Sequence, residues 1–338
     1  MQAPGEMVSM ISRVMATTYL TFVPPRTLVL TYIVYALIQL LGYELIALGH
    51  YLPSISVGLF HSGMFIFGLG RGTVAFPYLI LVRTFNRSSD AFAVVLWMTA
   101  SLAGNNWGIL LGTIMEDTLG LSWYASISAF SVLYLVTAIL TYVLVPEEYL
   151  PEREYQGVWE YASSMAKIMK GYYGRKTSNW LNLLDFIFLD NQLYIVLFWA
   201  VFYFSKLGYG YTSSMIASVF PACMVLGTLV LQFVLGKHLA QKPFITVILV
   251  GLNFLTFMML LVLGNDQSEV PIYMILLGCG AFVWVVPFIR SFTVDVSERA
   301  ENPQEKYLVS NFMRTAREVF TGITMLLLGI FMEQSNFI

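Results

Sequence analysis

Long apolar runs alternate with short polar turns along this chain, and most runs are about as long as a bilayer is deep. A spanning helix needs about 20 predominantly apolar residues. Nine runs meet that length: 27–48, 54–83, 90–114, 120–145, 184–205, 211–235, 243–263, 271–290 and 308–332. The second exceeds a perpendicular crossing, which predicts a tilted or protruding helix. One long polar stretch, 146–182, interrupts the series and holds Glu147, Glu148, Glu152, Arg153, Glu154, Lys167, Lys170, Arg175 and Lys176. A surface helix over about 156–170 fits within it. Before the first run, Met7, Met10, Ile11 and Val14 recur at i, i+3, i+4 and i+7 and predict a short amphipathic helix on the membrane surface. A targeting segment is the weaker alternative, because Glu6 is present and only Arg13 and Arg26 are basic. The expected organisation is an N-terminal interfacial segment 1–26, a four-helix front bundle 27–145, a polar loop 146–182 and a five-helix rear bundle 183–338.

The loop charges support that count. With nine crossings, one face collects Arg13, Arg26, Arg83, Arg87, Arg153, Lys167, Lys170, Arg175, Lys176, Lys237, Lys242, Arg299 and Lys306. Arg290, Arg314 and Arg317 fall at helix ends on the same face, while the opposite face receives only Lys206. A single miscounted helix would scramble this asymmetry, which is the one the positive-inside rule describes.

Composition removes other classes. The chain is 58% hydrophobic and only 11% charged, with a mean hydropathy of +0.72. A soluble domain carries about 25% charge, so this chain uses a bilayer as solvent. A net charge of −2 gives nucleic acid nothing to bind. Cys223 and Cys279 lie in apolar runs, and His50, His61 and His238 are scattered, so no metal-ligand or disulfide spacing emerges. No phosphate-binding glycine loop, catalytic triad or paired-carboxylate site stands out, and no enzyme or cofactor is expected. Bound phospholipids are.

Small residues fall at Gly68 and Gly72, then at Ser101, Gly104, Gly108 and Gly112, with Asn105 among them. Four-residue spacing places each set along one helix face. Between helices in lipid there is little hydrophobic drive, so close backbone approach through such faces provides the packing.

The residues from 65 to 147 carry a family resemblance. Phe67-Gly68-Leu69-x-x-Gly72 with Pro77, Trp97 followed by Gly104-Asn105 and Gly112, Trp123, and Val145-Pro146-Glu147 resemble helices four to six of the major facilitator superfamily. Within it, the organophosphate:phosphate antiporters, which exchange glycerol 3-phosphate and sugar phosphates, are nearest. Gly278, Gly280, Pro287 and Asp295 resemble the tenth helix and its exit more loosely. The resemblance implies an all-α, polytopic and incomplete major-facilitator-like fold in two bundles. On that register the first span here matches the family's third helix and the last its eleventh. The first helix, most or all of the second, and the twelfth then have no counterpart. The antiporters hold phosphate with basic residues in their first and seventh helices. Here the seventh-helix equivalent, 184–205, has no Arg or Lys and carries Asp185 and Asp190.

The candidate contacts for a ligand or lipid are Arg71, inside a span, and the polar group Asp190, Asn191 and Gln192. An arginine bonded within a bundle, or a structural polar contact, is the competing reading of each. Arg314 and Glu318 stand at i, i+4 and are expected to pair locally. The sequence thus points to a transporter-derived membrane protein that has lost transport and serves as an accessory subunit of a larger membrane complex. The alternative is an active carrier of small anions such as phosphate or sugar phosphate. Expected partners are membrane lipids and other membrane-protein subunits. The expected location is an organellar inner membrane, the mitochondrial one first, with the endoplasmic reticulum as the alternative.

Overall fold

The structure, a computed structural model, describes residues 3–19, 22–74, 119–145, 155–189, 243–263 and 299–334, with isolated residues and short helical stretches elsewhere. Its regular elements are helical throughout these residues. They are α1 (Ala3–Tyr19), α2 (Pro25–Tyr51), α3 (Ser56–Gly70), α4 (Trp123–Leu144), α5 (Val158–Arg175), α6 (Pro243–Leu263) and α7 (Pro303–Gln334). Residues 177–189 are also helical. Among the described residues, three helices are long and apolar enough to cross a membrane: Arg26–Tyr51, Pro53–Gly70 and Tyr124–Leu144. The 21 residues of α6 contain no charged side chain. The spans expected at 90–114, 211–235 and 271–290 lie wholly or mostly outside the described residues.

Proline sets where helices begin. Pro25 opens α2, where its fixed φ suits a first helical turn and its missing N–H costs nothing. Pro303 opens α7 behind Asn302, whose Oδ1 accepts the Glu305 N–H at 2.7 Å. Glu305 in turn reaches back to accept the Glu301 N–H at 2.6 Å, so both sides of the turn are satisfied. This cap starts α7 five residues before the apolar run that was expected to open at 308.

By its contacts the chain divides into two compact units. One holds residues 1–86, 114–174 and 314–338; the other holds 87–113 and 175–313. The last helix from Arg314 onward thus belongs with the first residues of the chain, and residues 87–113 with 175–313.

In the first unit, α2 and α3 form a helical hairpin closed by the short 3-10 turn Pro53–Ile55. Their backbones meet through glycines. A Cβ on Gly42 would lie 2.6 Å from Phe67 Cα and 2.8 Å from the Gly63 carbonyl oxygen. Farther along, a Cβ on Gly70 would lie 2.6 Å from Gln39 Cα. The contact faces therefore use Gly42, Gly63 and Gly70. Gly68 is buried, and Gly72, in the 3-10 turn over Arg71–Val74, sits where an added Cβ would lie 2.8 Å from Cδ1 of the Tyr35 ring. Beside the closing turn of the hairpin, the His50 ring stacks on Tyr124 at 4.3 Å and joins α2 to α4.

α1 is amphipathic. Its buried face is Ser9, Ser12, Arg13 and Ala16, while Met7, Ile11 and Met15 are exposed. The polar side of this helix turns inward, packing against α3 and the following 3-10 turn. The physical reason is the solvent: against lipid the apolar face is the favourable outside, and polar groups seek partners within the bundle.

Candidate functional site

The inward face of α1 meets two features of the same unit. The first is the break at the end of α3. Ser12 Oγ donates to the Leu69 carbonyl and accepts the Gly72 N–H at 3.2 Å, and the Tyr35 hydroxyl also hydrogen-bonds to Ser12. A helix that changes pitch exposes backbone groups, and in a membrane these need protein partners. Ser12 supplies them.

The second feature is the middle of α7, whose 32 residues place Glu318 near its midpoint. Arg13 Nη1 lies 2.7 Å from Glu318 Oε2, and Arg317 Nη2 donates to Glu318 Oε1 at 2.6 Å. Arg314 adds its charge to the field at the same carboxylate. All four side chains are buried, Glu318 to 3% exposure and Arg314 likewise. The Arg13 contact is an ion pair rather than an aligned hydrogen bond, so Oε2 keeps acceptor capacity. Arg13 Nε also donates to the Ser9 carbonyl at 3.3 Å. Ser9 Oγ, with the residue 1% exposed, has no hydrogen-bond partner among the described residues. Three guanidinium groups thus gather around one carboxylate inside a helical bundle, where ionised groups are tolerated only in company.

Arg314, four residues before Glu318, acts on the same carboxylate, and Arg13 and Arg317 reach that carboxylate at ion-pair distance.

Of the other candidates, Arg71 caps α3. Its backbone N–H reaches the carbonyls of Gly68 and Phe67, and its guanidinium lies 5.6 Å from the centre of the Phe67 ring. Cation–π contact of this kind gives a membrane arginine an apolar-compatible partner. Asn191, in the second unit, donates from Nδ2 to the Ile187 carbonyl of its own helix at 3.0 Å. Its Oδ1 is buried without a hydrogen-bond partner among the described residues. Asp190, Gln192, Ser101, Gly104, Asn105, Gly108 and Gly112 lie outside the described residues.

Sequence reasoning placed Arg13 and Arg317 on a membrane face and did not bring them together. The available signal was the run Ser9, Ser12, Arg13, Ala16, a small and polar helix stripe opposite the apolar one.

These helices, with their apolar spans and charged interior, are those of an all-α polytopic membrane protein. Two solved structures are similar over 96% of this chain. One is the human organic anion transporter MFSD10 (TETRAN), with 14% identity, a TM-score of 0.63 and 76% of that chain covered. The other is the nucleoside transporter NupG, with 12% identity, a TM-score of 0.53 and 80% covered. No family model and no curated protein matches the sequence. At this identity the likeness is one of fold, and fold alone does not name a cargo.

Proposed function

We propose that the chain is a membrane carrier for a small organic anion bearing a carboxylate or phosphate group. The supporting observation is the gathering of Arg13, Arg314 and Arg317 around Glu318. Planar guanidinium groups bind carboxylate and phosphate through paired, charge-assisted N–H donors, and desolvated surroundings strengthen those bonds. Glu318 occupies the position an anionic cargo would take and serves as its resident stand-in while the site is closed. The buried Ser9 hydroxyl beside Arg13 offers a further donor to the same ligand. This reading supplies the cations that the sequence had shown as missing from the seventh-helix equivalent.

A second reading keeps an observation of its own. Arg13 and Arg317 already engage Glu318 at ion-pair distance, as they would in a cluster that only fastens α1 to α7. That suits a non-transporting accessory subunit of a larger complex in an organellar inner membrane.

Flux separates the two. The purified protein is reconstituted in liposomes, and uptake of labelled phosphate, a hexose phosphate and a dicarboxylate is followed. Saturable uptake that falls at least tenfold in Arg317→Gln, with the protein still folded, is the expected result. No uptake of any of them, together with purification only alongside other subunits, would establish the accessory role instead.

A further inference from the structure

We infer that the outward face of α5 is a docking surface for anionic phospholipid headgroups of the membrane in which the protein sits. The inference is independent of whether the chain carries a solute. α5 is amphipathic in the ordinary sense. Tyr161, Tyr172 and Tyr173 are buried, and the residues facing away from them are open. Trp159, Ser163, Ala166 and Lys170 follow i, i+4, i+7 and i+11, which is a single helical stripe, and all four are exposed. Trp159 is 88% exposed, an unusual position for a large aromatic ring in water. Indole rings with one apolar body and one N–H favour the headgroup layer. Lys167 is exposed on the flank of the stripe. The one described acid on this face, Glu160, is occupied: its Oε2 accepts the Gln156 N–H at 2.6 Å at the helix start. The stripe therefore runs from an aromatic anchor, across two small residues, to two lysines.

The chain also fixes where this helix lies. Only Lys176 separates α5 from the helical run 177–189, which leads into the expected span 184–205. That run exposes Trp180, Leu181, Leu184 and Phe188, the apolar side of a helix meeting lipid. This continuity places the end of α5 beside the start of that expected span, where the headgroup layer would lie. Arg175, its last residue, is held by Glu301 at 2.7 Å and Glu305 at 2.8 Å. Its charge is spent on protein, which leaves Lys167 and Lys170 for phosphate groups outside. Basic residues close to a bilayer surface each add to its attraction for anionic lipid.

The test uses the full-length protein with Cys223→Ser and Cys279→Ser, spin-labelled through Ser163→Cys and reconstituted in phosphatidylcholine bilayers with and without phosphatidylglycerol. The label is expected to collide with oxygen in preference to a water-soluble nickel chelate, more strongly when phosphatidylglycerol is present. In parallel, phosphatidylglycerol is titrated into detergent-solubilised protein and thermal stability is read. The double variant Lys167→Gln/Lys170→Gln should weaken the titration midpoint by roughly tenfold or more, with its melting temperature in phosphatidylcholine unchanged. A label that stays open to the nickel chelate in both bilayers overturns the proposal, as does a variant with the original midpoint. A label open to water in liposomes but shielded in native membranes would assign the face to a protein partner and overturn it equally.

Discussion

Arg13 and Glu318 come from opposite ends of the chain and meet at 2.7 Å inside one compact unit. The pair joins α1 to the middle of α7. Met10, one turn before Arg13, sits against Gly322, one turn after Glu318, where an added Cβ would lie 3.1 Å from Met10 Cβ. A short N-terminal helix is thus fastened to the last helix by charge and by close packing at successive turns.

Breaking that pair should be costly in proportion to its burial. Glu318→Gln leaves three guanidinium groups together without their carboxylate, and Arg13→Gln leaves Glu318 with fewer cations. Removing one partner of a buried pair typically costs about 3–5 kcal/mol. Each single variant should therefore lower the melting temperature in detergent markedly. The double variant Arg13→Gln/Glu318→Gln should lose less than the sum, with a coupling of about 1–3 kcal/mol. Strict additivity would show that the two side chains do not interact.

The α2–α3 hairpin makes a sharper steric prediction. Gly42→Ala places a methyl against the Phe67 backbone, which cannot swing aside as a flexible side chain would. Overpacking of this kind costs about 1–3 kcal/mol, and Gly42→Leu should abolish folded expression. Gly58 is the control. Nothing lies within 4 Å of its added Cβ, so Gly58→Ala should leave stability unchanged or raise it by up to about 1 kcal/mol. Size-exclusion profiles and melting curves of the two alanine variants give the answer.

What the sequence reveals here follows the range over which each force acts. Helix α2 was readable to within three residues at either end, because apolar length and Pro24-Pro25 are local signals. Helix α4 and the surface helix α5 were readable for the same reason. The spacing of Gly68 and Gly72 marks one helix face, but spacing within one helix cannot reveal its partners, Gly42 and Tyr35 on the opposite helix. The inward face of α1 is not legible in the sequence, because periodicity gives the two sides of a helix but not which side meets its neighbours. The Arg13–Glu318 cluster was illegible for a stronger reason: it depends on which helices become neighbours, and nothing local to either residue encodes that.

At the end of α5, Arg175 spans two carboxylates, Glu301 and Glu305, and its guanidinium is held above its ordinary pKa, chiefly by Glu305. Its proton is therefore secure across the working pH range, and Arg175 keeps its charge as pH rises. Arg175→Lys keeps a charge but loses the fork that reaches both acids. Because the side chain is partly exposed, solvent screening limits the loss to less than about 1 kcal/mol. The effect should be local and salt-dependent. Amides at 299–305 should exchange hydrogen faster in Arg175→Lys than in the wild type, and high salt should narrow the difference. Equal exchange in both proteins at low salt would remove Arg175 from the forces ordering that turn.

The N-terminal cap of α7 can be tested apart from that clamp. Asn302 Oδ1 accepts the Glu305 N–H at 2.7 Å, and Pro303 fills the first helical position. Asn302→Ala removes the acceptor while leaving the proline and the Glu305 side chain in place, and loss of such a cap costs about 0.5–2 kcal/mol. Asn302→Asp retains an acceptor and adds a negative charge at the positive end of the helix dipole, so it should match or exceed the wild type. The ordering Asp at or above Asn, with Ala lowest, is the expected result in thermal melts. It would be accompanied by faster exchange of the first-turn amides in the alanine variant alone. An alanine variant as stable as the aspartate one would mean that Pro303 and the packing of Leu308 and Val309, both fully buried, start this helix without help from the cap.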